Sequence, residues 1–144
     1  MKIGKNSKQE RRFFRMEFCL DTNVIIELFR GNEEVRKKLE KIQNNYCVTP
    51  LVVSELFKGA FLKDNSKLAV KQVEDFVENA GIIGFNIEAA KLFGEKYSEL
   101  KKKGKMTQEI DLMTGCIALV HNSTIVTRNI KHFENISELK VIGI

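Results

Sequence analysis

Short apolar runs rich in β-formers alternate with longer amphipathic stretches along almost the whole chain, and few folds accept that rhythm. Phe18-Cys19-Leu20, Tyr46-Cys47-Val48, Ile82-Ile83-Gly84-Phe85 and Thr124-Ile125-Val126-Thr127 read as strands, and Lys140 to Ile144 as a short closing one. The intervening stretches carry helix punctuation. Asn23 is placed to cap a helix from Val24, with Val24, Ile25, Leu28 and Phe29 on one face and Gly31 at its end. Asn32 caps a second, with Glu33 and Glu34 in its first turn and Val35, Leu39 and Ile42 as its stripe. Thr49-Pro50 opens a third, which carries Leu51, Val52, Glu55, Leu56, Gly59 and Leu62. Ser66 begins a fourth with Val70, Val73, Phe76 and Val77 inward. Asn86 caps a fifth with Ala90, Phe93, Tyr97 and Leu100 at helical spacing, closed by Gly104. From Ile110 to Val120 nearly every residue is apolar or small, so that helix belongs at the centre. This alternation predicts an α/β domain: a mostly parallel sheet of four to five strands with helices on both faces.

A chain of 144 residues can bury one sizeable core. At 43% apolar and 30% charged residues it is not a disordered chain, and no apolar run approaches the ~20 residues needed to span a bilayer. Cys19, Cys47 and Cys116 are odd in number, far apart and set among apolar neighbours, which suits reduced, buried thiols in the cytoplasm. His121 and His132 lack the spacing of zinc ligands. The net charge of +5 is lopsided. The first 15 residues hold six basic side chains against Glu10 alone, while Met16 to Ile144 balances. Residues 1–15 therefore read as a basic, disordered leader ahead of a domain over residues 16–144, and Met16 reads as an alternative start. The high pI is then weak evidence for nucleic-acid binding by the domain itself.

Carboxylates recur at the junctions. Asp21 stands where the first strand hands over to a helix, the place where open α/β sheets gather ligands. Glu55 lies beside the apolar face of its helix. Asp111 occupies the first turn of the apolar helix, with Glu109 at its cap, and Thr127 and Asn129 sit at the end of the fourth strand. Each has a comfortable structural role alone, as cap, rim residue or dipole partner. Together they describe an oxygen-only cluster at one sheet edge, which hard cations such as Mg²⁺ or Mn²⁺ prefer. Spacing leaves both readings open.

Four stretches carry a resemblance: Leu20-Asp21-Thr22-Asn23-Val24-Ile25, Val53-Ser54-Glu55-Leu56, Glu109-Ile110-Asp111-Leu112-Met113-Thr114-Gly115 and Val126-Thr127-Arg128-Asn129-Ile130-Lys131-His132-Phe133. In this order and spacing they resemble the PIN-domain ribonucleases, and among them toxins of the VapC type, over nearly everything from Met16 onward. The resemblance implies a single PIN-like domain with a small helical arm from Gly31 to Ala80, and a Mg²⁺- or Mn²⁺-dependent endoribonuclease. Asp21, Glu55 and Asp111 would be its catalytic, metal-holding acids, with Glu109 able to hold a second ion or a metal-bound water. Thr22, Asn23, Thr127 and Asn129 would support them, Thr127 by orienting Asp21 or a water. Asn129 departs from the aspartate that many members carry: its amide oxygen accepts but brings no negative charge. Arg128, Arg30 and Lys131 are the expected RNA-facing rim.

The same resemblance implies a homodimer, and a small antitoxin whose C-terminal segment lies in a groove beside the acids. A metal-free cluster of Asp21, Glu55, Glu109 and Asp111 is strongly negative, so the expected partner presents Arg or Lys into it. Two other readings compete. A phosphoaspartyl enzyme built on Asp21 lacks the second aspartate of a D-x-D site, because residue 23 is Asn. A PIN-like fold kept as an RNA- or protein-binding module differs from a nuclease in cleaving nothing when metal is supplied.

Overall fold

A computed structural model describes residues 17–144; the basic arm of residues 1–15, and Met16 after it, lie outside the described residues. Five strands form one sheet: β1 (Phe18–Leu20), β2 (Tyr46–Val48), β3 (Gly81–Ile82), β4 (Thr124–Thr127) and β5 (Val141–Gly143). Their order is β3-β2-β1-β4-β5, and every neighbouring pair is parallel. Six helices connect them: α1 (Thr22–Phe29), α2 (Glu33–Lys41), α3 (Pro50–Phe61), α4 (Ser66–Asn79), α5 (Ile87–Lys103) and α6 (Glu109–Val120), with a 3-10 turn at Ile130–His132. None is long and apolar enough to cross a membrane among the described residues.

Strand alternation builds two cores. Cys19, Cys47 and Ile125 face one side of the sheet and pack with Leu112, Cys116 and Ile117 of α6 and with Leu100 of α5. Leu20, Val48 and Val126 face the other side and pack with Val24, Ile25, Val35, Leu39, Val52, Leu56 and Val73, from α1 to α4. Strands covered on both faces read as unbroken apolar runs, as these do. All three cysteines are buried. The helix ends follow their caps: Asn32 accepts from the backbone of Glu34 and Val35, Thr49 from Val52, and Asn86 from Ala89. Gly104 closes α5 at φ +65°, a left-handed conformation that favours glycine.

Several local expectations shift. Helix α1 begins at Thr22, not Val24, and its cap is Asp21, whose carboxylate accepts from the Thr22 N–H. Asn23 instead spends its amide on the end of the neighbouring strand β4, as described below. The ladder of β3 covers only Gly81–Ile82, although the Ile83 N–H still reaches the Val48 carbonyl. An edge strand with one partner ends as soon as the chain turns toward the Asn86 cap. Leu62 lies just beyond α3 and is 78% exposed rather than inward. The inner face of α5 runs through Ala89, Lys96 and Leu100, with Ala90 only half-buried. Lys96 stays in because its ammonium donates to Ser137 Oγ at 2.7 Å, with the Glu99 and Glu138 carboxylates nearby at 3.9 and 3.7 Å. Helix α6 starts at Glu109, with Gln108 at its cap.

The strand order places the site. From β1 the chain moves outward through β2 to β3, then crosses back to insert β4 on the other side of β1. Connections therefore leave β1 and β4 in opposite directions, which opens a crevice at their carboxyl ends. Asp21 follows β1 directly, and Thr127 ends β4. Because β4 is a central strand, Ile125→Ala, at a fully buried position between the sheet and α6, is expected to cost about 2–5 kcal/mol. Urea unfolding followed by circular dichroism measures it; a loss below about 0.5 kcal/mol would mean this core layer is not closely packed.

Candidate active site

Asp21 is fixed from three directions. Its backbone N–H continues the sheet ladder to the Val126 carbonyl at 2.9 Å. One carboxylate oxygen accepts from the Thr22 N–H at 2.8 Å, and the other from the Thr127 hydroxyl, also at 2.8 Å. Thr127 is fully buried, and its oxygen in turn accepts from the Asn129 N–H at 3.0 Å. Asn23 points to the same place: its Oδ1 accepts from the Arg128 N–H at 3.1 Å, and its Nδ2 lies 3.5 Å from the Thr127 hydroxyl. Glu55, half-buried on α3, accepts from the Thr22 hydroxyl at 3.0 Å. Thr22 thereby joins the two acids, one through its N–H and one through its hydroxyl.

Asp111 stands in the first turn of α6 and is 8% exposed. Burial pushes its carboxyl up to about 6; the negative charge of Asp21 adds to the rise, the His132 ring opposes it and Glu55 adds further. Asp21 and Glu55 are joined through Thr22, and the charge of both is felt at the Asp111 carboxyl, so the three acids share one neighbourhood. Glu109 is exposed at the start of α6, on the rim. Asn129 turns its amide Nδ2 to His132 Nε2 at 2.8 Å. Arg128 and Lys131 are exposed, and Arg30 is tied to Glu27 at 2.9 Å.

The donor set is the oxygen set that suits Mg²⁺ or Mn²⁺, and its mutual repulsion is what a divalent cation relieves. As placed, no three His, Cys, Asp or Glu side chains among the described residues form a closed ligand set, so a shared ion would need the acids to move closer together. Beside Glu55 a groove of about 190 Å³ runs between α1, α3 and α4, floored by Ile26, Phe29, Leu56 and Val73 and rimmed by Arg30 and Lys63. Sequence reading passed over His132 and Lys63. His132 was weighed only as a zinc ligand; its position three residues after Asn129, on the turn that follows β4, was the available signal. Lys63 carried none.

A family model described as PIN domain matches residues 18–139. The chain belongs to the PIN-domain family. Within it, the chain is 29% identical over 128 residues to Ribonuclease VapC1 of Haemophilus influenzae, spanning 87% of this chain and 96% of the relative. It is 26% identical over 126 residues to the tRNA(fMet)-specific endonuclease VapC of Shigella flexneri, over 87% and 96% of the two chains. Its fold superposes with a TM-score of 0.83 on a chain of VapBC2 from Rickettsia felis, solved bound to a DNA fragment from their promoter, at 26% identity over 90% of this chain and 99% of that one.

A raised Asp111 carboxyl has a signed consequence. Below about pH 3 the group is protonated in both folded and unfolded chains and costs nothing; stability is lost as pH rises from about 4, where the unfolded carboxyl ionises, to about 6, where the folded one does, and the loss is constant above that. Asp111→Asn is therefore expected to raise Tm by roughly 3–5 °C above pH 7 in a chelator, a water-screened effect of about 1 kcal/mol, and to change nothing near pH 3. Thermal melts across that range decide it. A variant less stable than the parent at pH 8 would mean Asp111 is held by favourable contacts instead.

Proposed function

We propose that this chain is a metal-dependent endoribonuclease of the VapC type, cleaving RNA phosphodiester bonds as the toxin of a toxin–antitoxin pair in the cytoplasm. The observation that carries the reading is the electrostatic crowding of Asp111 by Asp21 and Glu55 at the topological switch of a PIN-domain sheet. The ribonuclease and endonuclease activities for which these relatives are named support the reaction class.

Asp21, Glu55 and Asp111 would hold a Mg²⁺ or Mn²⁺ ion, with Glu109 at the rim. When bound, such an ion neutralises the acids, lowers the pKa of a coordinated water and stabilises charge on the phosphate under attack. The protein's own contribution is orientation. Thr127 and Thr22 hold Asp21 in one rotamer, and Thr22 holds Glu55 at the same time. Asn129 brings no charge, which favours one tightly held ion over two. Arg128, Lys131 and Lys63, with Arg30 released from Glu27, are the cations available to an incoming phosphate backbone.

Asp21→Asn tests the reaction without removing the cap, since the amide keeps an oxygen for the Thr22 N–H. RNA cleavage in Mg²⁺ is expected to fall on the order of 100-fold or more while the circular dichroism spectrum stays unchanged. Full activity in that variant would remove Asp21 from the site.

The partner is a small antitoxin, as in the VapBC complexes whose chains share this fold. We assign its contact to the groove beside Glu55, where an apolar segment can lie on Ile26, Phe29 and Leu56 while an Arg or Lys reaches the acids. The toxin itself is a homodimer in this reading. Antitoxin and cation then compete. Kd for an antitoxin C-terminal peptide should weaken about tenfold between zero and saturating Mg²⁺ at fixed ionic strength. An affinity indifferent to Mg²⁺ would place the inhibitor away from the acids.

A further inference from the structure

The three acids of the crevice are not held alike. Both carboxylate oxygens of Asp21 have donors at 2.8 Å, and Glu55 has the Thr22 hydroxyl. Asp111 is about as buried as Asp21, its side chain only 11% exposed, yet it accepts no hydrogen bond from any described residue. The polar group facing it is His132, whose Nδ1 lies 3.5 Å from Oδ2.

That ring is anchored on its other side. Asn129 Nδ2 donates to His132 Nε2 at 2.8 Å, which leaves the ring proton on Nδ1, directed at Asp111. The backbone is pinned as well: the His132 carbonyl accepts from the Thr107 hydroxyl at 2.7 Å, and Thr107 lies in the loop that leads into α6, the helix bearing Asp111. Asn129 itself donates to Thr127, and Thr127 to Asp21. A continuous polar chain, Asp21–Thr127–Asn129–His132–Asp111, therefore spans the crevice between two acids that come from different elements.

We propose that His132 is a positioning residue that turns the Asp111 carboxylate toward Asp21 and Glu55, and that Asn129 acts by orienting His132 rather than as a cation ligand. The inference rests on the nuclease reading above. It also gives Asn129 a task that aspartate would do differently: an amide N–H donates to an imidazole nitrogen, whereas a carboxylate there would draw a proton onto Nε2 and alter the ring's tautomer.

Mn²⁺ affinity of the full chain, measured by electron paramagnetic resonance, tests it without reference to catalysis. Loss of a partner that orients a metal ligand costs about 10–100-fold in metal affinity. His132→Ala is expected to weaken Mn²⁺ binding about tenfold with Tm nearly unchanged, because the ring is 45% exposed. His132→Asn returns an N–H near the Nδ1 position and should recover most of that loss. Asn129→Ala, which keeps the ring but frees it, should show a smaller weakening and stands in if His132→Ala folds poorly. Asp21→Asn, read in parallel, separates the two levels. Loss of Mn²⁺ binding in Asp21→Asn with undiminished binding in His132→Ala overturns the role of His132 alone. No Mn²⁺ binding by the parent chain overturns the nuclease reading and this inference together. A defect of His132→Ala seen only in the KM for RNA would make the ring a substrate contact and also overturn it.

Discussion

The hydroxyl of Thr127 ties the site together. It is fully buried at the end of a central strand, donates to Asp21 and accepts from the Asn129 backbone, with the Asn23 amide close by. A buried hydroxyl left without partners costs about 1–3 kcal/mol, so its neighbours are held where they satisfy it. That single oxygen therefore fixes the relative placement of β1, β4, the start of α1 and the turn after β4. The acids inherit their geometry from it.

Satisfaction of Thr127 and Asp21 contrasts with the treatment of Asp111. Asp21 is capped and hydrogen-bonded, so its charge is supported by the fold. Asp111 is desolvated beside two like charges, and its raised proton affinity records that conflict. Elsewhere several charges pair along helix surfaces, as Arg36 does with Glu33 and Lys71 with Asp75. A buried carboxylate kept beside like charges costs stability, and such conflicts gather at functional sites.

Much of this was legible in the chain. Short unbroken apolar runs marked the strands, and cap residues such as Asn32, Thr49 and Asn86 marked the helix starts because side-chain oxygens satisfy the first free N–H groups. Asp21 and Asp111 each had an ordinary reading as cap or dipole partner, and only the recurrence of acids at strand ends and helix starts suggested a shared site. What pattern could not show was tertiary. Asn23 looked like a cap, yet its amide reaches Arg128, which is 105 residues away in sequence. Lys96 looked like a solvated lysine, and only the loop at Ser137 explains its burial. His132 offered only its spacing from Asn129 as a local signal, because its meaning depends on Asp111 arriving from a separate element.

The late insertion of β4 has a consequence for the chain during its own synthesis. The contacts that align Asp21 come from Thr127, 106 residues downstream, and the strand that bears Thr127 sits between β1 and β5. Until that strand is made and docks, β1 has a bare edge, Asp21 lacks one of its two donors and the crevice has only one wall. A chain interrupted before Thr124 is therefore inert, and so is every nascent copy still short of that point. Completion of the crevice therefore waits on β4, the fourth of the five strands to be made. For an enzyme that attacks RNA, that order of assembly keeps the growing chain from cutting the transcript that encodes it.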